Sequence, residues 1–260
     1  MKKMCREEIR KYWESKASEE GDNPSSTIKD HEFREMEIAV ISKYLKDRDV
    51  VLDIGCGNGF STACYSEKVS KITGADYIQD FIDWANKLYV NENNRNKLEF
   101  RQADALGLPF KDGEFDVVLS ERMLINLSTW DDQKKALNNM RKVLKKGGRL
   151  ILLEVSMQGM AKLDKMRKQF GLEEMKKHWH NLYIDEDMLQ EFLAGKFVIE
   201  DIKRFSIYCL ISKIVHSLLV APEEPKYGAK INKIASLIGR EYIDFENGAS
   251  HQFMYVLEKI

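Results

Sequence analysis

Val50-Val51-Leu52-Asp53-Ile54-Gly55-Cys56-Gly57-Asn58-Gly59-Phe60 runs three β-formers into an acid and then into glycine at every second position. A buried strand that breaks into such a turn, with a helix after it, lets backbone N–H groups approach a ligand closely. A dinucleotide fingerprint would need a third glycine three residues after the second. Phe60 stands there, and the third glycine, Gly59, comes one residue early. The turn therefore predicts a small-ligand loop that holds no pyrophosphate.

Outward from this loop the chain alternates. Val50–Ile54, 72–75, 98–103, 115–120 and 149–155 read as strands. Between them, Ile78, Phe81, Ile82, Ala85, Leu88 and Tyr89 form one helical stripe, and Ala136, Leu137, Met140, Val143 and Leu144 another. The helix after the glycine loop is expected to reach about Lys68, and Gly147-Gly148 to close the helix before strand five. Upstream, Cys5, Ile9, Tyr12 and Trp13 mark an amphipathic helix, and Phe33, Met36, Val40, Ile41, Tyr44 and Leu45 a second. Residues 156–195 read as helical and Lys-rich. A strand at 197–205, helices at 207–219 and 231–241, and a strand at 253–258 follow. Strands alternating with helices imply a doubly wound parallel sheet of the α/β class. The expected organisation is a single domain over 1–260: N-terminal helices (1–46), a ligand-binding core (47–155), and cap-forming helices and connections (156–250).

Composition narrows the function. Hydrophobic residues at 43% and charged residues at 32% suit a soluble globular protein. The 41 Lys and Arg nearly cancel the 42 Asp and Glu, which disfavours binding nucleic acid through phosphate charge. A Lys-rich stretch at 162–177 is the one feature that favours RNA. Cys5, Cys56, Cys64 and Cys209 form no close metal-type pair and no disulfide framework, so a reducing cytoplasm is expected. The charged N-terminus lacks the apolar region of a secretory signal, and no run reaches the length of a membrane span. The oligomeric state is left open.

The order Asp53-Ile54-Gly55-Cys56-Gly57-Asn58-Gly59, Asp76-Tyr77, Asp104-Ala105, Ser120-Glu121 and Leu144-Lys145-Lys146-Gly147-Gly148 resembles the class I S-adenosylmethionine-dependent methyltransferases. The resemblance covers roughly 35–155 and the last two strands; Lys146 replaces a usual proline. It implies a mostly parallel seven-stranded Rossmann-like sheet with a helical cap. The implied cofactor is S-adenosyl-L-methionine, and the product S-adenosyl-L-homocysteine. Asp53, Gly55, Gly57 and Asn58 would form the cofactor loop. Asp76, 23 residues after Asp53, would accept bonds from both ribose hydroxyls, which one carboxylate can do. Tyr77 would lie on the adenine, and Asp104-Ala105 would hold its amino group. Ser120 and Glu121 would stand where the methionine moiety meets the substrate. Tyr12 and Trp13 match an aromatic pair that some members fold over the cofactor.

The residues after strand four exclude several acceptors. Ser120-Glu121-Arg122-Met123 replaces the Asn/Asp-Pro-Pro-Tyr segment of exocyclic-amine methylation, and no Pro-Cys nucleophile for C5 methylation of cytosine is present there. Glu121 and Glu154 follow strands four and five, but the usual Asp-Asn pair of a catechol-type magnesium site is missing, so no metal is expected. The run from Ser120 to Leu127, with Trp130 and His178-Trp179-His180-Asn181-Leu182-Tyr183, resembles a small-molecule subgroup, many of whose members accompany bacterial surface-polysaccharide synthesis. It implies O-methylation of a small polar metabolite such as a sugar or phosphate-bearing headgroup. His180 is the first candidate base, by its ordinary pKa near 7, and Glu121 the second. Arg122, Asn181, Tyr183 and Tyr208 are candidate substrate contacts. Arg122, Arg167 and Arg204 suit a phosphate or carboxylate, and His216 and His251 are candidate cap residues. The apolar 207–220 stretch keeps a quinone or lipid methyltransferase open, and intact loop residues would equally serve a non-catalytic cofactor-binding regulator.

Overall fold

Seven strands form one sheet in the order β3-β2-β1-β4-β5-β7-β6. The computed structural model describes residues 5–243, 245 and 250–260. Met1–Met4 of the charged N-terminus and residues 246–249 at the end of the expected cap lie outside them. The strands are β1 (Val50–Ile54), β2 (Lys71–Asp76), β3 (Leu98–Gln102), β4 (Phe115–Glu121), β5 (Leu144–Val155), β6 (Phe197–Arg204) and β7 (Gln252–Lys259). The pairs among β1–β5 are parallel, whereas β7 runs antiparallel between β5 and β6. The fold is thus the doubly wound α/β sheet expected from the alternation. Strand order reverses between β1 and β4, where open sheets of this kind bind ligands beyond their carboxyl ends.

Alternate side chains of each strand enter two separate cores. Val51, Val117, Leu119, Ile151 and Leu153 pack against α2 (His31–Ser42), α3 (Phe60–Ser66) and α4 (Gln79–Tyr89). Leu52, Ile54, Val118, Leu150 and Leu152 pack against α5 (Trp130–Val143) and α7 (Glu186–Leu193). Polar caps start these helices where the sequence supplies them. Thr129 accepts from the Asp132 N–H, and Asp185 from Asp187 and Met188. Ser156 does the same for Gly159 at the start of α6 (Met157–Gln169). Helix α1 (Arg6–Glu20) lies against α4, and a short 3-10 turn at Pro24–Ser26 leads into α2.

Three expectations need correction. Helix α3 stops at Ser66, two residues short of Lys68. Helix α5 is closed before the glycines: Leu144 is already extended, and its N–H donates to the Met140 carbonyl. Gly147 and Gly148 instead fall in an irregular stretch of β5, where register shifts against β4. A Cβ on Gly148 would lie 3.0 Å from the Asp116 carbonyl, so close strand approach explains that glycine. Residues 156–195 are only half helical, because 170–185 between α6 and α7 has no regular helix. The chain there is pinned by a few long-range backbone bonds: Leu182 N–H donates to the Ile125 carbonyl (2.7 Å), Ile184 N–H to the Val155 carbonyl (2.9 Å), and Met157 N–H to the Ile184 carbonyl (2.8 Å).

Between β6 and β7 the chain forms α8 (Ser206–Cys209), a π-helical segment (Leu210–Val215), α9 (His216–Val220) and α10 (Lys230–Glu241). These pack on α2.

Candidate active site

The glycine turn is shaped by backbone conformation. Gly55, Gly57 and Gly59 have φ of 78°, 54° and 82°, a region that favours glycine. Each missing side chain is also a packing requirement. A Cβ at Gly55 would meet Met123 at 2.5 Å, one at Gly57 would meet Thr27 at 2.6 Å, and one at Gly59 would meet Phe100 at 2.6 Å. The space beside Gly57 is therefore filled by Thr27 of the α1–α2 connection and is not a ligand cavity. Asn58 is buried, and its amide donates to the carbonyls of Gly21 (3.1 Å) and Asn23 (2.8 Å) and to Ser26 (3.3 Å). That side chain ties the α1–α2 connection to the loop.

Asp76 ends β2 with one oxygen on the glycine loop and the other on the turn that starts α4. Gly57 N–H donates to Oδ2 at 3.0 Å and Ile78 N–H to Oδ1 at 2.9 Å. An ionised carboxylate has about four acceptor positions, so two remain for hydroxyl donors. Burial raises its pKa to about 6, against the stabilising backbone N–H bonds. Beyond it a groove of about 610 Å³ is lined by Arg6, Tyr77, Gln102, Ala103, Asp104 and Pro109. The structure thus brings Tyr77 and Asp104 together at the ends of β2 and β3, as the resemblance implied. Arg6 of α1 pairs with Asp104, while Asp104 Oδ1 accepts from Leu106 N–H. Ala105 is buried and its carbonyl accepts from Asn139.

The ends of β1, β4 and β5 carry carboxyl groups. Asp53 accepts from Thr62 (2.5 Å), and burial and the nearby Glu121 raise its pKa to about 8. Glu121 accepts from the Tyr65 hydroxyl at 2.9 Å, and burial raises its pKa. Ser120 donates to Glu154, which also accepts from Leu124 and Ile125 N–H. Burial pushes Glu154 to about 8. Arg122 has φ 54°, a strained conformation for a non-glycine residue. Its guanidinium donates to Glu37 of α2 at 2.5 Å. Glu37 is fully buried, and burial raises it to about 7. Among the described residues no group of three His, Cys, Asp or Glu side chains has metal-binding proximity.

His180 is buried among rings of the N-terminal helix. It stacks on Tyr12 at 4.4 Å and meets Trp13 edge-on at 5.6 Å. Trp13 Nε1 donates to Asn126, whose amide donates to the Arg122 carbonyl. Burial, with His178 adding repulsion, lowers the His180 pKa to about 4. The aromatic pair and the His178–Tyr183 stretch therefore meet each other, as a flap over the β4 end. The Tyr183 hydroxyl accepts from His178 N–H, and Asn181 Oδ1 has no partner. Tyr208 lies elsewhere: it is fully buried, donates to Asp30 and packs on Phe33. Lys213 completes this pair at 2.8 Å from Asp30. Tyr208 is thus an internal anchor of the late helices on α2, which corrects its reading as a substrate contact. Arg204 is likewise spent on Glu186, and Arg167 donates to the Glu173 and Lys213 carbonyls.

Glu37, Tyr65 and Gln252 bond into the buried polar cluster of Glu121 and Arg122, and the sequence reading missed them. A signal for Glu37 was present. It falls between Phe33 and Ile41 at four-residue spacing, inside the buried stripe of α2. An acid in such a stripe needs a partner.

Residues 52–152 match the family described as "Methyltransferase domain". Demethylmenaquinone methyltransferase of Lactococcus lactis subsp. lactis (strain IL1403) is 36% identical over 109 residues, 41% of this chain and 42% of that protein. An O-methyltransferase of Pyrenophora dematioidea is 28% identical over 191 residues, 70% of this chain and 64% of that protein. The chain therefore spans less than two thirds of these relatives. In fold it is similar to a SAM-dependent methyltransferase of Methanosarcina mazei, with TM-score 0.56 and 20% identity over 85% of this chain and 97% of that one. The match to the methyltransferase-domain family takes in the glycine turn, Asp76 and Asp104.

Proposed function

We propose that the protein is an S-adenosylmethionine-dependent methyltransferase that methylates a small polar metabolite at oxygen, such as a sugar or a phosphate-bearing headgroup. The observation that carries this reading is the joint placement of the left-handed glycine turn, Asp76 and the Tyr77–Asp104 groove along one edge of the sheet. Asp76 would hold the ribose, Tyr77 the adenine and Asp104 its amino group. Burial raises both Asp53, to about 8, and Glu121; a sulfonium bound beside them would favour their ionised forms. When bound, the cofactor supplies an electrophilic methyl group.

The chain's own contribution is position and proton removal. Glu121 stands at the end of β4 with one oxygen on Tyr65 and the other without a partner. We assign to that oxygen the removal of a proton from an accepting hydroxyl. His180, the first candidate by sequence, is a weak base once buried. We assign it to closing the site with Tyr12 and Trp13. Orienting the acceptor in line with the methyl supplies much of the rate.

The relatives also include quinone C-methyltransferases, among them the UbiE protein of Escherichia coli O1:K1 / APEC. A quinone or lipid acceptor is the second reading, and the acid-rich β4 end argues against it. A non-catalytic cofactor-binding regulator is the third. The four cysteines are free thiols, which supports a cytoplasmic setting, and no helix among the described residues is long and apolar enough to cross a membrane. The test is incubation with methyl-labelled cofactor and pooled small metabolites. Label transfer to a small molecule is expected; cofactor binding without any transfer would favour the regulator.

A further inference from the structure

We propose that Glu37, Glu121 and Gln252 select the acceptor, and that it is a neutral or cationic molecule presenting hydroxyl or ammonium donors to them. This rests on the methyltransferase reading above and decides between the acceptors that reading leaves open. Three acceptor atoms carry it. Glu37 Oε2, Glu121 Oε2 and Gln252 Oε1 are buried and have no hydrogen-bond partner. Glu37 is 0% exposed and Gln252 3%. One unsatisfied buried acceptor costs about 1–3 kcal/mol, so natural interiors rarely leave several together.

The three belong to one cluster. Gln252 Nε2 donates to Glu37 Oε1 at 3.4 Å, and Arg122 donates to the same oxygen. Arg122 also interacts electrostatically with Glu121, and Glu121 with Glu37. On each acid one oxygen is used and one is bare. The residues come from α2, from the end of β4 and from the start of β7. Gln252 pairs with Val155 at the end of β5, so all three face the carboxyl edge where an acceptor must sit. The Arg122 side chain is 20% exposed, which opens the cluster to solvent on that side.

Charge sets the class. Among the described residues, the cations that act most on Glu37, Glu121, Asp53 and Glu154 are Arg122 and, for Glu121, Arg34. Arg122 is spent on Glu37. Arg34 donates to the Pro24 carbonyl and lies 4.0 Å over the Phe60 ring, though its Nε has no partner. His251, which interacts with Arg122, is kept neutral by burial at pKa about 3. Burial holds Glu37 at about 7 and Asp53 and Glu154 at about 8, so at pH 7 much of the cluster is protonated; a phosphate or carboxylate would be repelled by the ionised members and would find Arg122 already serving Glu37. A hydroxyl or ammonium would satisfy the bare oxygens.

The test uses the full chain with methyl-labelled S-adenosylmethionine. Small metabolites are first sorted at pH 7 by ion exchange into cationic, neutral and anionic fractions. Label should enter a cationic or neutral fraction. Label confined to the anionic fraction, or none in any fraction from a protein that binds the cofactor, overturns the proposal. Absence of cofactor binding in calorimetry would instead overturn the methyltransferase reading itself. Glu37→Gln and Gln252→Leu, checked for folding by circular dichroism, should each raise the fraction concentration for half-maximal labelling at least tenfold. Cofactor affinity should stay within twofold. Unchanged half-maximal concentrations in both variants would overturn the assignment.

Discussion

The Gly57 N–H donates to Asp76 Oδ2 at 3.0 Å, so the glycine turn and the acid that ends β2 hold each other in place. A loop held in this way would need little ordering to bind a ligand.

Calorimetry should show S-adenosylmethionine and S-adenosylhomocysteine binding at micromolar order, about −8 kcal/mol. NAD and NADP should not bind, because Gly59 breaks the dinucleotide spacing. Gly57→Val should abolish binding through the clash with Thr27 and the positive φ. A folded variant with wild-type affinity would refute this account of the loop.

Cofactor affinity should depend on pH through Asp76. Its carboxyl, raised to about 6 by burial, accepts hydroxyl donors best when ionised. Affinity should hold above pH 7 and fall as pH drops through 6. Asp76→Asn should flatten that profile at a weaker plateau; an unaltered profile in the variant would assign the titration to another group.

Glu154 makes an opposite demand on stability. Its folded pKa of about 8 lies above the ordinary value near 4.3. The folded state therefore holds the proton more tightly, and this contribution is present below about pH 4 and lost as pH rises through 8. Thermal melts should show Glu154→Gln losing less stability between pH 6 and pH 9 than the wild type does. Parallel loss in both would show that Glu154 is not the group responsible.

Asn58→Ala leaves the Gly21 and Asn23 carbonyls without their donor and should cost about 1–3 kcal/mol in denaturant unfolding. Cofactor affinity should fall with it, since the freed connection carries Thr27 away from Gly57. A loss of stability with unchanged affinity would separate the two roles.

Replacing Glu121 with Ala should lower turnover by about a hundredfold or more if it takes the acceptor's proton. His180→Gln should keep the shape of the pH–turnover profile, because a ring with pKa about 4 is neutral throughout pH 6–9. Loss of a limb near pH 6–7 in His180→Gln alone would return the base to His180.

The sheet was legible because its signals are local. Val50–Ile54 is a hydrophobic run with a glycine stop, and α4 shows its buried stripe at helical spacing. The proposed cofactor residues were legible for the same reason, since each follows its strand directly. The proposed acceptor cluster was not. Glu37 and Gln252 are 215 residues apart, and only the antiparallel entry of β7 beside β5 joins them. The flap failed for another reason: 170–185 has helical composition, but a few long-range bonds hold it.

That entry of β7 has a consequence for synthesis. β6 has only β7 as its neighbour, and the outer side of β5 is covered by β7 alone. A nascent chain can close the five parallel strands and the glycine turn while residues 252–259 are still inside the ribosome. Until they emerge, β5 offers an unpaired apolar edge and β6 has no sheet to join, so a chain stalled or clipped there is aggregation-prone. On the proposed roles, the glycine turn and Asp76 are in place before that moment, whereas the Glu37 cluster waits for Gln252, the first residue of β7.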